Sequence, residues 1–129
     1  MSGKHLLDTN IIIGIFKNDK AILARLRKTD GVFIPAIALG ELHYGTRKST
    51  RVEENLGKIE QFVAVSNILF VDEETAYWYG IVKDQLRRIG KPIPENDIWI
   101  AAIAMQKNII LATRDKHFQA VENLQTEMW

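Results

Sequence analysis

The sequence predicts an α/β fold with a mostly parallel sheet of four to five strands and helices on both faces. Short apolar runs alternate with longer amphipathic segments along the chain, which is the pattern of strands joined by helical crossovers. The run at residues 109–112 is wholly apolar, as expected of a central parallel strand. Acids or a proline stand where several of the helices are expected to begin.

The first half of the chain supplies two strands and four helices. They are, in order, a strand at residues 5–7, a helix from about residue 10, a helix at residues 20–28, a strand at 32–34, and helices at 36–47 and 51–64. Asp19 and Pro35 each precede one of these helices, in positions where a cap and a first-turn proline are favoured.

The second half continues the alternation. It supplies a strand at residues 68–71, a long helix at 73–89, a helix at 98–107, a strand at 109–112, a short helix or turn at 116–123, and an edge strand at 124–127. Asp72 can cap the long helix and Gly90 can end it. No linker divides the chain, so we expect residues 1–129 to form a single domain.

Composition excludes several classes of protein. The chain has no Cys, so disulfides, zinc–thiolate sites and thiol nucleophiles are excluded. Its longest apolar run, residues 98–105, is far below the roughly 20 residues of a membrane span. The apolar run after Lys4 is too short for a signal peptide, and we expect a cytoplasmic protein. A net charge of +1 means that nucleic-acid binding would depend on local basic clusters.

Four acids stand out by their positions. Asp8 and Asp115 follow apolar strands, and the carboxyl ends of parallel strands form one crevice where ligands bind. Glu41 lies on an otherwise apolar helix face, where an unpaired carboxylate is costly. Asp97 begins an apolar helix that flanks the same crevice. Each acid taken singly is equally compatible with a helix cap or a surface charge; the predicted sheet brings the four together.

A cation would make such crowding tolerable. Four carboxylates in one cleft repel one another unless an ion lies among them. Oxygen ligands without Cys or clustered His favour Mg²⁺, for which Mn²⁺ can substitute. Hydrolysis of a phosphodiester is the chemistry that such a site suits. Three neighbouring polar residues are expected to orient the carboxylates: Thr9, Asn10 and Thr113.

The residues carrying this pattern resemble the PIN-domain ribonucleases, and most closely the VapC toxins of bacterial toxin–antitoxin pairs. The similar segments are Leu6-Leu7-Asp8-Thr9-Asn10, Glu41-Leu42 with Tyr44-Gly45, Asp97 with Ile100-Ala101-Ala102, and Thr113-Arg114-Asp115 with Phe118. The resemblance implies a three-layer PIN-like fold and a Mg²⁺-dependent endoribonuclease. It assigns metal binding and catalysis to Asp8, Glu41, Asp97 and Asp115.

The resemblance also implies partners. A small VapB-type antitoxin is expected to inhibit the enzyme, by laying an apolar helix near Ile11, Ile12, Ile15 and Phe16, although core packing explains those four residues equally well. A homodimer is implied by analogy, with Trp78 or Trp99 at its interface.

The RNA substrate is expected to be held through its phosphates. Four cationic residues are the candidates for these contacts: Arg47, Arg88, Lys91 and Arg114. Residues 124–129 resemble the tail of the VapC group that cuts initiator tRNA in the anticodon loop. That group usually carries Asn at the position of Asp115 and a further acid at that of His117.

Three other functions are compatible with parts of the sequence. A metal-free ribonuclease would use His43 and His117 as acid and base, and chelators would not affect it. A receiver-like domain phosphorylated on Asp8 would need a second Asp two residues later and a Lys at a strand end, and neither is present. A catalytically weak PIN fold would bind only RNA or a partner. The presence of all four acids argues against this alternative.

Overall fold

A single five-stranded sheet forms the centre of the computed structural model, which describes residues 3–129. The strand order is β3-β2-β1-β4-β5, and every pairing is parallel. The strands are β1 Lys4–Leu7, β2 Gly31–Pro35, β3 Asn67–Leu69, β4 Ile110–Thr113 and β5 Thr126–Met128. The predicted parallel sheet is therefore confirmed, with β1 at its centre.

Helices cover both faces of the sheet, which confirms the three-layer architecture. They are α1 Thr9–Phe16, α2 Lys20–Leu26, α3 Ala36–Arg47, α4 Val52–Ala64, α5 Glu73–Arg88 and α6 Glu95–Lys107, followed by a 3₁₀ helix at Lys116–Ala120. Among residues 3–129, no helix combines the length and apolar character needed to cross a membrane.

The side chains of the central strands point alternately to the two faces of the sheet, and this divides the core into two halves. Leu6 and Leu111 point towards α5 and α6 and pack with buried apolar residues of both helices. Leu7 and Ala112 point to the opposite face and pack with buried residues of α1 to α4. Successive side chains of a strand face opposite ways, so one apolar run serves both halves. The core therefore fixes the position of β1 and β4 from both sides.

The register of β1 and β4 decides what lies beyond their ends. Leu7 is paired with Ala112, and the backbone N–H of Asp8 donates to the Ala112 carbonyl at 3.0 Å. Asp8, which follows the last residue of β1, therefore lies beside Thr113, the last residue of β4. An acid and a hydroxyl residue 105 positions apart are thus placed side by side by the pairing of two apolar strands.

Several element boundaries differ from the predictions, and two of these differences have a clear physical reason. β3 ends at Leu69, and Phe70 and Val71 are exposed. Leu69 pairs with Pro35, the last residue of β2, after which the chain turns into α3, so a longer β3 would have no partner. Helix α6 begins at Glu95 rather than Ile98 because Pro94 has the φ of −55° that suits the residue before a helix.

The apolar face of α1 belongs mostly to the core. Ile11 and Ile12 are fully buried, and Ile15 packs against the same cluster. The alternative in which they line a surface groove is therefore wrong for Ile11 and Ile12, while Phe16 and Ile13 line a cavity beside α3 and α4.

Candidate active site

A pocket of about 500 Å³ opens at the carboxyl ends of β1 and β4. All four acids singled out in the sequence line it, and its lining residues are Asp8, Thr9, Asn10, Ile13, Glu41, Pro94, Glu95, Asn96, Asp97 and Asp115. A larger cavity of about 610 Å³ lies near Lys4 and Lys107, with no carboxylate among the described residues that line it. The acidic pocket is therefore the candidate for chemistry, although it is the smaller of the two.

Asp8 is the most firmly held of the four acids. Its side chain is buried, with 5% of its surface exposed. Oδ1 accepts a hydrogen bond from the Thr9 backbone N–H at 2.8 Å, and Oδ2 accepts one from the Thr113 hydroxyl at 2.7 Å. Burial raises the pKa of Asp8 above its ordinary value, and these two hydrogen bonds counteract the rise. The carboxylate therefore has a fixed direction, set by both strands.

Glu41 reaches the pocket from α3. Its Oε1 accepts a hydrogen bond from the Thr9 hydroxyl at 2.8 Å. Thr9 thus joins two acids, because its backbone N–H contacts Asp8 and its hydroxyl contacts Glu41. This contact partly offsets the cost of a glutamate on an apolar helix face.

Asp115 lies on the segment that follows β4. Its backbone N–H donates to the Thr113 hydroxyl oxygen at 2.9 Å, and its Oδ1 accepts from the backbone N–H of His117 at 2.9 Å. The same Oδ1 lies 3.0 Å from His117 Nδ1. The hydroxyl of Thr113 therefore connects the two residues, since it donates to the Asp8 carboxylate and accepts from the Asp115 backbone N–H.

Asp97 is on the first turn of α6 and faces the other acids. One side-chain ligand atom each of Asp97, Asp115 and His117 lies within 4.8 Å of the others. Burial, together with the negative charges of Asp8, Asp115 and Glu41, raises the pKa of Asp97 to about 7, and His117 opposes the rise. Within residues 3–129, no hydrogen bond to the Asp97 carboxylate compensates for this environment.

The donor set fits a hard divalent cation. The four carboxylates supply oxygen ligands, which such ions prefer, and the repulsion that raises the pKa of Asp97 is what a positive ion would remove. His117, at the exposed edge, adds one imidazole. These donors are therefore of the kind that could hold a divalent metal ion.

The predicted cationic residues lie outside the pocket lining. Arg88 pairs with Asp84 on α5 at 2.8 Å, and Arg47 and Lys91 are exposed. Arg114 contacts Asp19 and the Trp129 carbonyl instead. His43, the partner of His117 in the metal-free alternative, is exposed on α3 and does not line the pocket either.

Four of the pocket residues were not predicted from the sequence: Ile13 on α1, and Pro94, Glu95 and Asn96. Pro94, Glu95 and Asn96 were assigned to a loop bordering Asp97, whereas Glu95 and Asn96 form the first turn of α6 and all three line the pocket. The signal was present, because proline favours a position at the start of a helix. Glu95 also accepts from the Tyr79 hydroxyl and from Lys83 at 3.2 Å, so it is engaged outside the cluster of four acids.

Comparison with known proteins agrees with this geometry. The model of the PIN domain family matches residues 5–124. Ribonuclease VapC2 of Haemophilus influenzae is 38% identical over 129 residues, covering 98% of both chains. The chain belongs to the VapC ribonucleases of the PIN-domain family. The predicted resemblance is confirmed, and the family assignment contradicts the receiver-like alternative.

Other VapC proteins match along the same length. The tRNA(fMet)-specific endonuclease VapC of Shigella flexneri is 36% identical and 98% of each chain is covered. The crystal structure of VapBC2 from Rickettsia felis bound to a DNA fragment from its promoter matches with a TM-score of 0.89 and 30% identity, again covering 98% of both chains. The match therefore extends beyond the acidic pocket to the complete PIN fold.

Proposed function

We propose that this VapC ribonuclease is a Mg²⁺-dependent endoribonuclease toxin whose catalytic residues are Asp8, Glu41, Asp97 and Asp115. The convergence of these four acids in one pocket is the observation that carries the proposal. Mn²⁺ is expected to substitute for Mg²⁺, because both ions prefer oxygen ligands. The family assignment supports hydrolysis of RNA phosphodiester bonds. We expect the enzyme to act in the cytoplasm.

The protein's part in the reaction is to hold ligands and orient them. A divalent ion bound here supplies charge stabilisation at the phosphorus and activates water for attack. Asp8 and Asp97 are the principal ligands in this proposal, with Glu41 and Asp115 completing the set. Thr9 and Thr113 fix the direction of the Asp8 and Glu41 carboxylates, and the Thr113 hydroxyl also holds the backbone of Asp115, through the hydrogen bonds described above.

The substrate class follows from a relative and from surface charge. A VapC of Shigella flexneri is named as specific for tRNA(fMet), and we extend cleavage of a tRNA, in its anticodon loop, to this chain. Arg47, Arg88 and Lys91 are exposed and lie outside the pocket lining, and we propose that they contact the RNA backbone. Arg114, predicted as a fourth contact, has a different set of partners.

A VapB-type antitoxin is the proposed inhibitor. A cavity of about 550 Å³ beside α1, α3 and α4 is lined by Phe16, Leu42 and Ile59 among others, and it shares Ile13 and Glu41 with the acidic pocket. An apolar helix seated there would continue directly towards the carboxylates. The structure from Rickettsia felis is a VapBC complex, which supports this kind of partner.

Two glycines of α3 provide a matched test of the antitoxin groove. Gly45 lines the groove and Gly40 does not, and a Cβ at either position would have no heavy atom within 4 Å. Gly45→Arg is expected to fill the groove and abolish co-purification with a co-expressed VapB-type antitoxin, whereas Gly40→Arg retains it. Equal binding by both variants would contradict the proposed docking site.

The catalytic proposal is tested by cleavage of purified RNA. The protein is expected to cut in Mg²⁺ and to stop in EDTA, and cleavage that persists in EDTA would contradict a metal site. Sequencing of RNA 5′ ends after a short pulse of expression would then identify the target. Cuts confined to messenger RNA would contradict the proposed tRNA substrate while leaving the nuclease activity intact.

A further inference from the structure

Arg114 lies between Thr113, whose hydroxyl holds Asp8, and Asp115, which lines the acidic pocket, and it is bound to three other parts of the chain. Its Nε donates to the Trp129 backbone carbonyl at 2.7 Å, and its Nη1 donates to Asp19 Oδ2 at 2.9 Å. Its backbone N–H points to Asn10 Oδ1 at 3.4 Å. The guanidinium and the backbone therefore tie the segment after β4 to α1, to the start of α2 and to the residue that follows β5.

The groups that Arg114 contacts are themselves fixed. Trp129 is buried, its ring lies 5.0 Å from that of His5, and its indole N–H donates to Glu127 at 2.8 Å. Asp19 uses its other oxygen, Oδ1, to accept from the Ala21 and Ile22 backbone N–H groups and so caps α2. Arg114 is thus held between two anchors, although 40% of its side-chain surface remains exposed.

We propose that Arg114 is a positioning residue that clamps the Thr113–Asp115 segment in the geometry the active site needs. Thr113 orients Asp8, and Asp115 is one of the four acids, so movement of this segment displaces two oxygen groups at once. The inference rests on the proposed nuclease function for its kinetic consequences. It replaces the prediction that Arg114 contacts RNA phosphates.

The role requires arginine in particular. The planar guanidinium reaches two acceptors in different directions, whereas a lysine ammonium is a single point that would reach one of them. Arg114→Lys therefore keeps the positive charge and breaks the clamp. Asp19→Asn breaks it from the other side and keeps the α2 cap, because Asn is as good an N-cap as Asp.

The two hypotheses for Arg114 predict opposite results for this pair of variants. A clamp predicts that both variants lower kcat, by about 10- to 100-fold as for other groups that orient metal ligands, with the KM for RNA little changed. It also predicts that the double variant is hardly worse than either single one. An RNA contact predicts near-normal kcat in Arg114→Lys and, in Asp19→Asn, an unchanged or lower KM because the guanidinium is released.

A second measurement does not depend on activity. Amide hydrogen exchange at Arg114 and Asp115 is expected to accelerate in both variants, while exchange at buried residues of α6 stays unchanged. Unchanged exchange at Arg114 and Asp115 overturns the clamp. If wild-type protein cuts no RNA yet these amides lose protection in the variants, the nuclease proposal fails and the clamp stands.

Discussion

The two sides of the acidic pocket are built differently. On the side of β1, both oxygens of Asp8 accept hydrogen bonds, and Thr9 links this acid to Glu41. On the side of α6, burial and three like charges raise the pKa of Asp97 to about 7, with no hydrogen bond to offset them within the described residues. The carboxylates on the β1 side are therefore stabilised by the fold itself. The Asp97 carboxylate on the α6 side destabilises the fold until a cation or a proton neutralises its charge.

This difference indicates where stability has been exchanged for function. Caps and hydroxyls satisfy Asp8 by the same interactions that stabilise ordinary helix ends. Asp97 contributes nothing comparable to stability, and a buried charge without a partner is unfavourable. In the proposed metal site, a bound cation would supply the positive charge that the fold itself does not place beside Asp97.

The largest expected effect is the loss of cleavage in Asp97→Asn. The amide has almost the shape of the carboxylate but lacks its charge, so we expect RNA cleavage in Mg²⁺ to fall by at least about 100-fold. Glu60→Gln is the matched control, because Glu60 is an exposed acid on α4 outside the pocket. Wild-type rates in Asp97→Asn would show that Asp97 has been assigned wrongly.

Thr113→Val tests the hydrogen-bonded side. The variant keeps the shape of the side chain but removes the hydroxyl that joins Asp8 Oδ2 to the Asp115 backbone N–H. We expect kcat to fall about 10- to 100-fold and the free energy of unfolding to fall by about 1–3 kcal/mol. Thr46→Val, at a buried threonine of α3, is the control for stability. Equal losses in the two variants would mean that the hydroxyl network has no special importance.

The third prediction concerns stability and pH without metal. The pKa of Asp97 is raised from 3.8 to about 7, so between these values the folded state holds a proton that the unfolded state has lost. The resulting penalty grows as the pH rises through this window and is complete above about pH 7. Asp97→Asn removes the penalty, so in EDTA at pH 8 it should melt above wild type by on the order of 5 °C.

The control for this prediction is built into the pH series. The advantage of Asp97→Asn should shrink steadily below pH 7 and vanish only below about pH 3, where Asp97 is protonated in both the folded and the unfolded wild-type protein. Mg²⁺ should also reduce it, by stabilising the wild type alone. A variant that is less stable than wild type at pH 8 in EDTA would show that the carboxylate has a stabilising partner after all.

The smallest expected effect is at the end of α6. Asn108 adopts a left-handed φ of 54°, which glycine adopts without steric cost. Asn108→Gly should change the free energy of unfolding by only a few tenths of a kcal/mol and leave cleavage unchanged, as measured by melting and by the RNA assay. A clear loss of activity would mean that the pocket is sensitive to any change in α6, and the specific argument for Asp97 would weaken.

Much of the fold and of the candidate site could be predicted from local sequence. Asp8 and Thr113 each follow an apolar run, and parallel pairing of those runs is enough to bring them together. Glu41 could be recognised because a charge interrupts an apolar helix face. These features depend on one segment each, together with the rule that parallel strands end at the same edge.

The parts that could not be predicted depend on packing between distant segments. The ion pair of Arg114 with Asp19 joins residues 95 positions apart, and no pattern near either residue indicates the other. The early end of β3 depends on where its neighbour β2 turns away. The outward position of Ile13, among neighbours that are buried, depends on how α1 rotates against the sheet.

The central claim is that carboxylates distant in sequence converge to hold a divalent ion. Calorimetric titration of Mn²⁺ into the wild type, Asp97→Asn and the Glu60→Gln control tests it most directly. We predict saturable binding to the wild type and the control, and its loss in Asp97→Asn. Binding of equal strength to all three proteins would contradict the account.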